Sequence, residues 1–150
     1  MEIIRLENEE QIRALLTKDE LFEFFKEDGM PSLPHWNIPV NKSIYWLIGI
    51  EKREIVGLMI LNRVNIVLMD GHIALFKKFR KKGYGEQFVN AVSDWIKKHT
   101  RAKSLIGYIP SHRQDVKQLA EKTFTHIGTI TEAQSWDDKL IDVEIYQRIL

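Results

Sequence analysis

The stretch FKKFRKKGYGEQF, residues 76–88, carries five basic side chains within six positions and then two glycines flanking Tyr84. It follows an apolar run that reads as a strand. It precedes Phe88, Val89, Val92, Trp95 and Ile96, whose spacing predicts a helix. A helix N-terminus has unpaired backbone N–H groups and the positive end of a dipole, so it attracts phosphate. Glycines there allow close backbone approach and positive φ without a Cβ penalty. The spacing R-x-x-G-x-G from Arg80 to Gly85 therefore suits a pyrophosphate cradle. It equally suits a tight strand-to-helix turn with solvated lysines, and a short glycine pattern alone does not choose between them.

Working outward, the chain has 150 residues, the size of a single domain (1–150) able to bury its own core. At 44% hydrophobic and 29% charged, it has the composition of a globular protein. The 22 basic and 21 acidic residues leave a net charge of +1, so affinity for an anion should be local. The absence of cysteine excludes disulfides and thiolate chemistry. The acidic start MEIIRLENEE does not read as a signal or transit peptide, and no apolar run has the length of a membrane span. The expectation is a soluble, cytoplasmic protein with no membrane partner.

EIIRL reads as a strand, and Asn8 with Gln11 marks a helix start for Ile12, Leu15 and Leu16. TKDE at 17–20 repeats the capping pattern, predicting a second helix with Leu21, Phe22 and Phe25 on one face, ended by Gly29. MPSLPHWNIP holds three of the four prolines and reads as loop. SIYWLIGI and EIVGLMIL form a hairpin, and VNIVLMDGHIALF a third strand with a bulge at Asp70–Gly71. After the helix come SLIGYI (strand), RQDVKQLAEKTF (helix), then THIGTI and VEIYQRIL (strands). The order β-α-α-β-β-β-α-β-α-β-β predicts an α/β (mixed α+β) domain with a mixed sheet.

The segment from Leu75 to Gly85 resembles the acetyl-CoA-binding motif of the GNAT superfamily of N-acetyltransferases. That motif is (Q/R)-x-x-G-x-(G/A) between a strand and a helix, with an apolar residue five before the arginine and an aromatic just before it. Lys77 departs from a frequent proline. The element order is also similar to the family's, and the middle of the chain is similar to GNAT-like proteins of bacteriophages, which would place it in a host cytoplasm. The resemblance implies an acyl-CoA N-acyltransferase fold: a mixed, mostly antiparallel sheet of six to seven strands with about four helices. It implies acetyl-CoA as acyl donor and no metal. The amides from Lys81 through Lys82, Gly83 and Tyr84 to Gly85 would cradle the pyrophosphate, with charge from Arg80 and Lys82. The strand through Ile73 to Leu75 would pair with the pantetheine arm, and a splay between it and SLIGYI would admit the thioester.

Acetyl transfer to an amine needs a base for the amine and an acid for the leaving thiolate. Asp70 and His72, two apart, share a strand face. His72 is the better base, since imidazole titrates near neutrality, with Asp70 to orient it; the other reading is a turn flanked by an idle histidine. In the family's last helix a tyrosine supplies the acid, whereas Ala120 stands at the matching position, and the glycine before Phe124 is absent. Tyr108 can substitute if it faces the cleft, or is a half-buried strand aromatic. The five histidines lack metal-ligand spacing, Ser111–His112 lacks a nucleophile elbow, and Trp36 sits in a loop that borders the acceptor site in the family. The chosen reading is an N-acetyltransferase acting on a small-molecule or protein amine by direct attack in a ternary complex. The alternatives are a catalytically idle GNAT-fold assembly module and, disfavoured by net charge, a nucleic-acid binder. A homodimer is compatible with all three.

Overall fold

A computed structural model describes residues 1–150. Strands β1 (Glu2–Leu6), β2 (Ile44–Glu51), β3 (Glu54–Arg63), β4 (Leu68–Leu75), β5 (Ser104–Pro110), β6 (Thr125–Trp136) and β7 (Lys139–Ile149) form one sheet in the order β1-β2-β3-β4-β5-β7-β6. Helices are α1 (Glu9–Leu16), α2 (Tyr84–His99) and α3 (Gln114–Thr123), with a 3-10 segment at Lys18–Phe24. Every neighbouring pair is antiparallel except β4–β5. The α2 crossover between those two strands makes them parallel, as expected of a β-α-β unit.

β2 and β3 read as continuous apolar runs because both of their faces are covered. On one face Trp46, Ile48, Leu58, Ile60 and Ala74 pack with Ile12, Leu15 and Leu16 of α1. On the other, Tyr45, Leu47, Met59, Leu61 and Met69 pack with Phe88, Val89, Val92 and Ile96 of α2. The α1 start is capped as its sequence suggests: Asn8 Oδ1 accepts from the Gln11 N–H at 3.1 Å.

Three local expectations change. The second helix is instead the 3-10 segment, broken where Asp19 (φ 52°) and Glu20 (φ 57°) enter the left-handed region. Asp19 there accepts the Lys77 N–H at 3.0 Å and Glu20 pairs with Lys77 at 3.4 Å, so a long-range tie displaces the local cap while Leu21 and Phe22 stay buried. The bulge at Asp70–Gly71 does not form; β4 runs in unbroken register along β3, and the irregularity lies at Gly49/Ile50 in β2. Gly71 makes room rather than a turn, because a Cβ there would come within 3.1 Å of Leu61 and 3.3 Å of Leu105. The last two strands form a longer hairpin, 12 and 11 residues, than their apolar cores indicated.

Candidate functional site

β4 and β5 pair only across Leu68↔Ser104, Met69↔Leu105 and Asp70↔Ile106. Beyond Asp70 they part: β4 stays on β3 to Leu75, while β5 follows β7 to Pro110. The β5-facing edge of β4 is left without a strand partner. The wedge holds a cavity of about 130 Å³ that continues into a groove of about 680 Å³ beside α2 and α3. Phe24, Ile73, Arg113 and Leu119 line both.

At the groove's end sits the turn read first in the sequence. Lys81 (φ 58°) and Gly83 (φ 81°) both adopt left-handed conformations, and Gly83 caps α2 without a side chain. None of the backbone N–H groups from Lys81 to Glu86 has an acceptor within the protein. Of these residues Lys81, Gly83, Gly85 and Glu86 line the groove, so unpaired amides, a helix N-terminus and Lys81 bring positive charge to it, opposed by the Glu86 and Asp115 carboxylates. Gly85 allows α3 to approach: a Cβ there would lie 3.0 Å from a Leu119 methyl.

Of the residues expected beside the cofactor, Ile73, Leu75, Arg80, Lys81, Gly83 and Gly85 line the groove. Tyr84 does not, because its ring packs edge-on against Phe79 at 5.0 Å, and the Lys82 side chain points to solvent. Arg80 turns inward rather than lying open: its Nε donates to the Leu75 carbonyl at 2.8 Å and its guanidinium lies 4.2 Å over the Phe24 ring. Burial lowers its pKa, with Asp19 and Asp115 opposing, and its Nη2 is buried without a partner. Lys77 pairs with Glu20 and Lys78 with Glu54, so the basic block is far less open than its sequence suggests.

The three catalytic candidates separate. His72 and Tyr108 line the cavity, Tyr108 being 40% exposed; Asp70 does not reach it. Asp70 accepts from Asn62 Nδ2 at 2.7 Å and makes no hydrogen bond to His72, so the orienting role has no contact behind it. Side chains two apart on a regular strand stand too far apart to bond directly unless they lean together, and the β3 partner captures the carboxylate first. Ala120 is buried against Ile109 and Tyr146. Burial, joined by Glu121 and Glu144, raises the Tyr146 phenol and keeps it protonated.

Other cavity residues escaped the sequence reading. Phe24 fell outside the apolar face assigned to the second helix, yet it lies between Arg80 and Arg113, 4.6 Å from the latter. His112 stacks on Trp136 at 4.5 Å. Burial and then the Arg113 charge lower the His112 pKa, so the ring is neutral near pH 7. Burial would raise Asp115, but the two hydrogen bonds and charge of Arg113 win and lower it. No short-range pattern joins His112 to Trp136. No group of three His, Asp or Glu is placed to hold a metal, and no helix is long and apolar enough to cross a membrane.

No protein-family model and no curated protein matches the sequence. Solved structures do match in shape. A spermidine N-acetyltransferase from Vibrio cholerae, in complex with CoA and spermine, superimposes with a TM-score of 0.78 at 14% identity, over 99% of this chain and 94% of that one. The ribosomal L7/L12 alpha-N-protein acetyltransferase RimL, in complex with coenzyme A, gives 0.76 at 15% identity over 99% and 94%. An acetyl transfer enzyme from Salmonella typhimurium that modifies the N-terminal serine of the same ribosomal protein gives 0.67 at 17% identity, covering 73% of this chain and 65% of that one. With the mostly antiparallel seven-stranded sheet and its one splayed parallel pair, this chain shares the fold of these N-acetyltransferase structures.

Proposed function

We propose that the protein transfers an acetyl group from acetyl-CoA to a primary amine by direct attack in a ternary complex. The observation that carries this reading is the junction of the splay with the unpaired amide turn. One continuous channel offers an anion site at one end and an unpartnered strand edge leading to a cavity at the other. The amides of Lys81 to Glu86 hold the pyrophosphate, with Lys81 and Arg113 adding charge. The pantetheine arm lies along Ile73 to Leu75 as an added strand, which brings the thioester to the wedge. The amine nitrogen forms a C–N bond to the carbonyl carbon and the C–S bond breaks. His72 takes the proton lost by nitrogen, and the Tyr108 hydroxyl returns one to sulfur, giving the acetamide and free CoA thiol. That coenzyme A accompanies two of the shape neighbours supports the donor.

Ala120 favours a second reading, a fold that binds acyl-CoA without turning it over. It leaves α3 with no hydroxyl at the position where the family resemblance places the acid. Calorimetric titration with acetyl-CoA, followed by free-thiol release with an amine panel, separates the two. Micromolar binding with amine-dependent thiol release supports the transferase, and binding alone supports the idle module. No binding by the folded protein overturns both.

A further inference from the structure

The mouth of the cavity is ringed by three segments far apart in sequence, and each is tied to the next. Phe24 between two guanidiniums joins the end of the 3-10 segment to the start of α3. Asp28 accepts from the Ser135 hydroxyl at 2.7 Å and the Asp138 N–H at 3.4 Å, joining the following loop to the tip of the β6–β7 hairpin. Trp136 stacked on His112 at 4.5 Å joins that tip back to the β5–α3 turn. The ties close a ring of which Phe24, His112, Arg113 and Trp136 also line the cavity that holds His72, and an acceptor entering on this side passes through it. A folded surface or a long chain terminus is poorly suited to such an entrance.

Inside the ring the walls are aromatic and short of acid. Phe25, Tyr108, His112 and Trp136 face the space, with Glu27 as its one carboxylate against the cations Lys26 and Arg113. A polyamine carries several ammonium groups and would meet a single carboxylate in the wall, beside Lys26 and an Arg113 already paired with Asp115. A single ammonium can pair with Glu27 or lie over an indole face, while an aromatic body fills the rest.

Resting on the acetyl-transfer reading, we infer that the acceptor is a small arylalkylamine, one primary amine on one aromatic body, seated against Trp136 and Tyr108 inside this ring. The neutral amine and the acetyl thioester give the N-arylalkyl acetamide and CoA thiol. One proton leaves nitrogen and one ends on sulfur.

The test is thiol release from acetyl-CoA with 2-phenylethylamine, n-butylamine, spermidine and a tetrapeptide with an N-terminal serine. The inference expects kcat/KM for 2-phenylethylamine about tenfold or more above each of the others, a difference of ~1.4 kcal/mol. Trp136→Ala should raise its KM about fivefold or more with kcat within about twofold, leave acetyl-CoA affinity unchanged, and be rescued by Trp136→Phe. Preference for spermidine, butylamine or the peptide overturns it, as does an equal effect of Trp136→Ala on all four. If no amine is turned over, titration of 2-phenylethylamine into the CoA-loaded protein decides. Saturable binding weakened by Trp136→Ala upholds the acceptor class while acetyl transfer fails; no binding overturns both.

Discussion

Two glycines two positions apart do different work in the turn that opens α2. Gly83 has open space around its missing Cβ but a φ of 81°, so its role is conformational. Gly85 sits in a helical conformation but touches Leu119, so its role is steric. Gly83→Ala should cost about 1 kcal/mol, lowering Tm by roughly 2–4 °C for a domain of this size, with thermal unfolding as the check. Gly85→Val should wedge α3 away and weaken acetyl-CoA binding by about tenfold or more, ~1.4 kcal/mol, while the fold is retained by circular dichroism. Equal affinities for Gly85→Val and the parent would remove the groove from the binding site. The glycine spacing was legible because all its parts are local. The inward turn of Arg80 was not, since it depends on Phe24, more than fifty positions upstream.

At the scale of elements, the Asp28 link between loop and hairpin tip depends on charge. The Ser135 hydrogen bond, which outweighs a small burial cost, holds its pKa below the ordinary carboxyl value of 3.8. A depressed folded-state pKa means that the contribution is present above the unfolded value and is lost as pH falls through the folded one. The carbon-13 resonance of the Asp28 side-chain carboxyl should therefore titrate with a midpoint below 3.8. Asp28→Asn should abolish that titration. A midpoint at or above 3.8 would mean that the tie does not persist in solution. The second predicted helix is instructive at the same scale. TKDE has the residues of a helix cap, but its two carboxylates are spent on Lys77, and the chain turns through positive φ to deliver them. A local propensity of a few tenths of a kcal/mol gives way to a long-range pairing with Lys77.

For the whole molecule, β4 contributes Ala74 to one core and Met69 to the other, so the strand that borders the candidate site is packed on both faces. Trp46 is 1% exposed at the centre of the α1-side core, and its indole N–H donates to the Pro39 carbonyl at 2.8 Å. Trp46→Ala should cost about 3–5 kcal/mol by urea denaturation, because it opens a cavity and leaves the half-buried Pro39 carbonyl without its donor. A loss below about 1.5 kcal/mol would mean that the core closes around the gap. Charge is the other molecular-scale quantity. With Lys77 and Lys78 neutralised by Glu20 and Glu54, neutral replacement of either lysine should leave acetyl-CoA affinity within about twofold, under ~0.5 kcal/mol. Replacing Lys81, which lines the groove, should weaken it more, and titration at two salt concentrations distinguishes the cases.

By itself the sequence determined what depends on neighbours a few positions apart. These are the alternation and apolar runs of the strands, the 3.6-residue periodicity of α2 and α3, the Asn8 cap, and the glycine turn at the head of α2. From these the mixed sheet and the glycine turn before α2 followed. The parting of β4 from β5 was implied by the family resemblance and has no local pattern; only the tertiary structure decided the captivity of Asp70 by Asn62 and the ring of Phe24, Asp28, His112 and Trp136. The reason is separation along the chain. The Asp28–Asp138 contact joins residues 110 positions apart, and no local pattern records a meeting that exists only once seven strands have closed into one sheet.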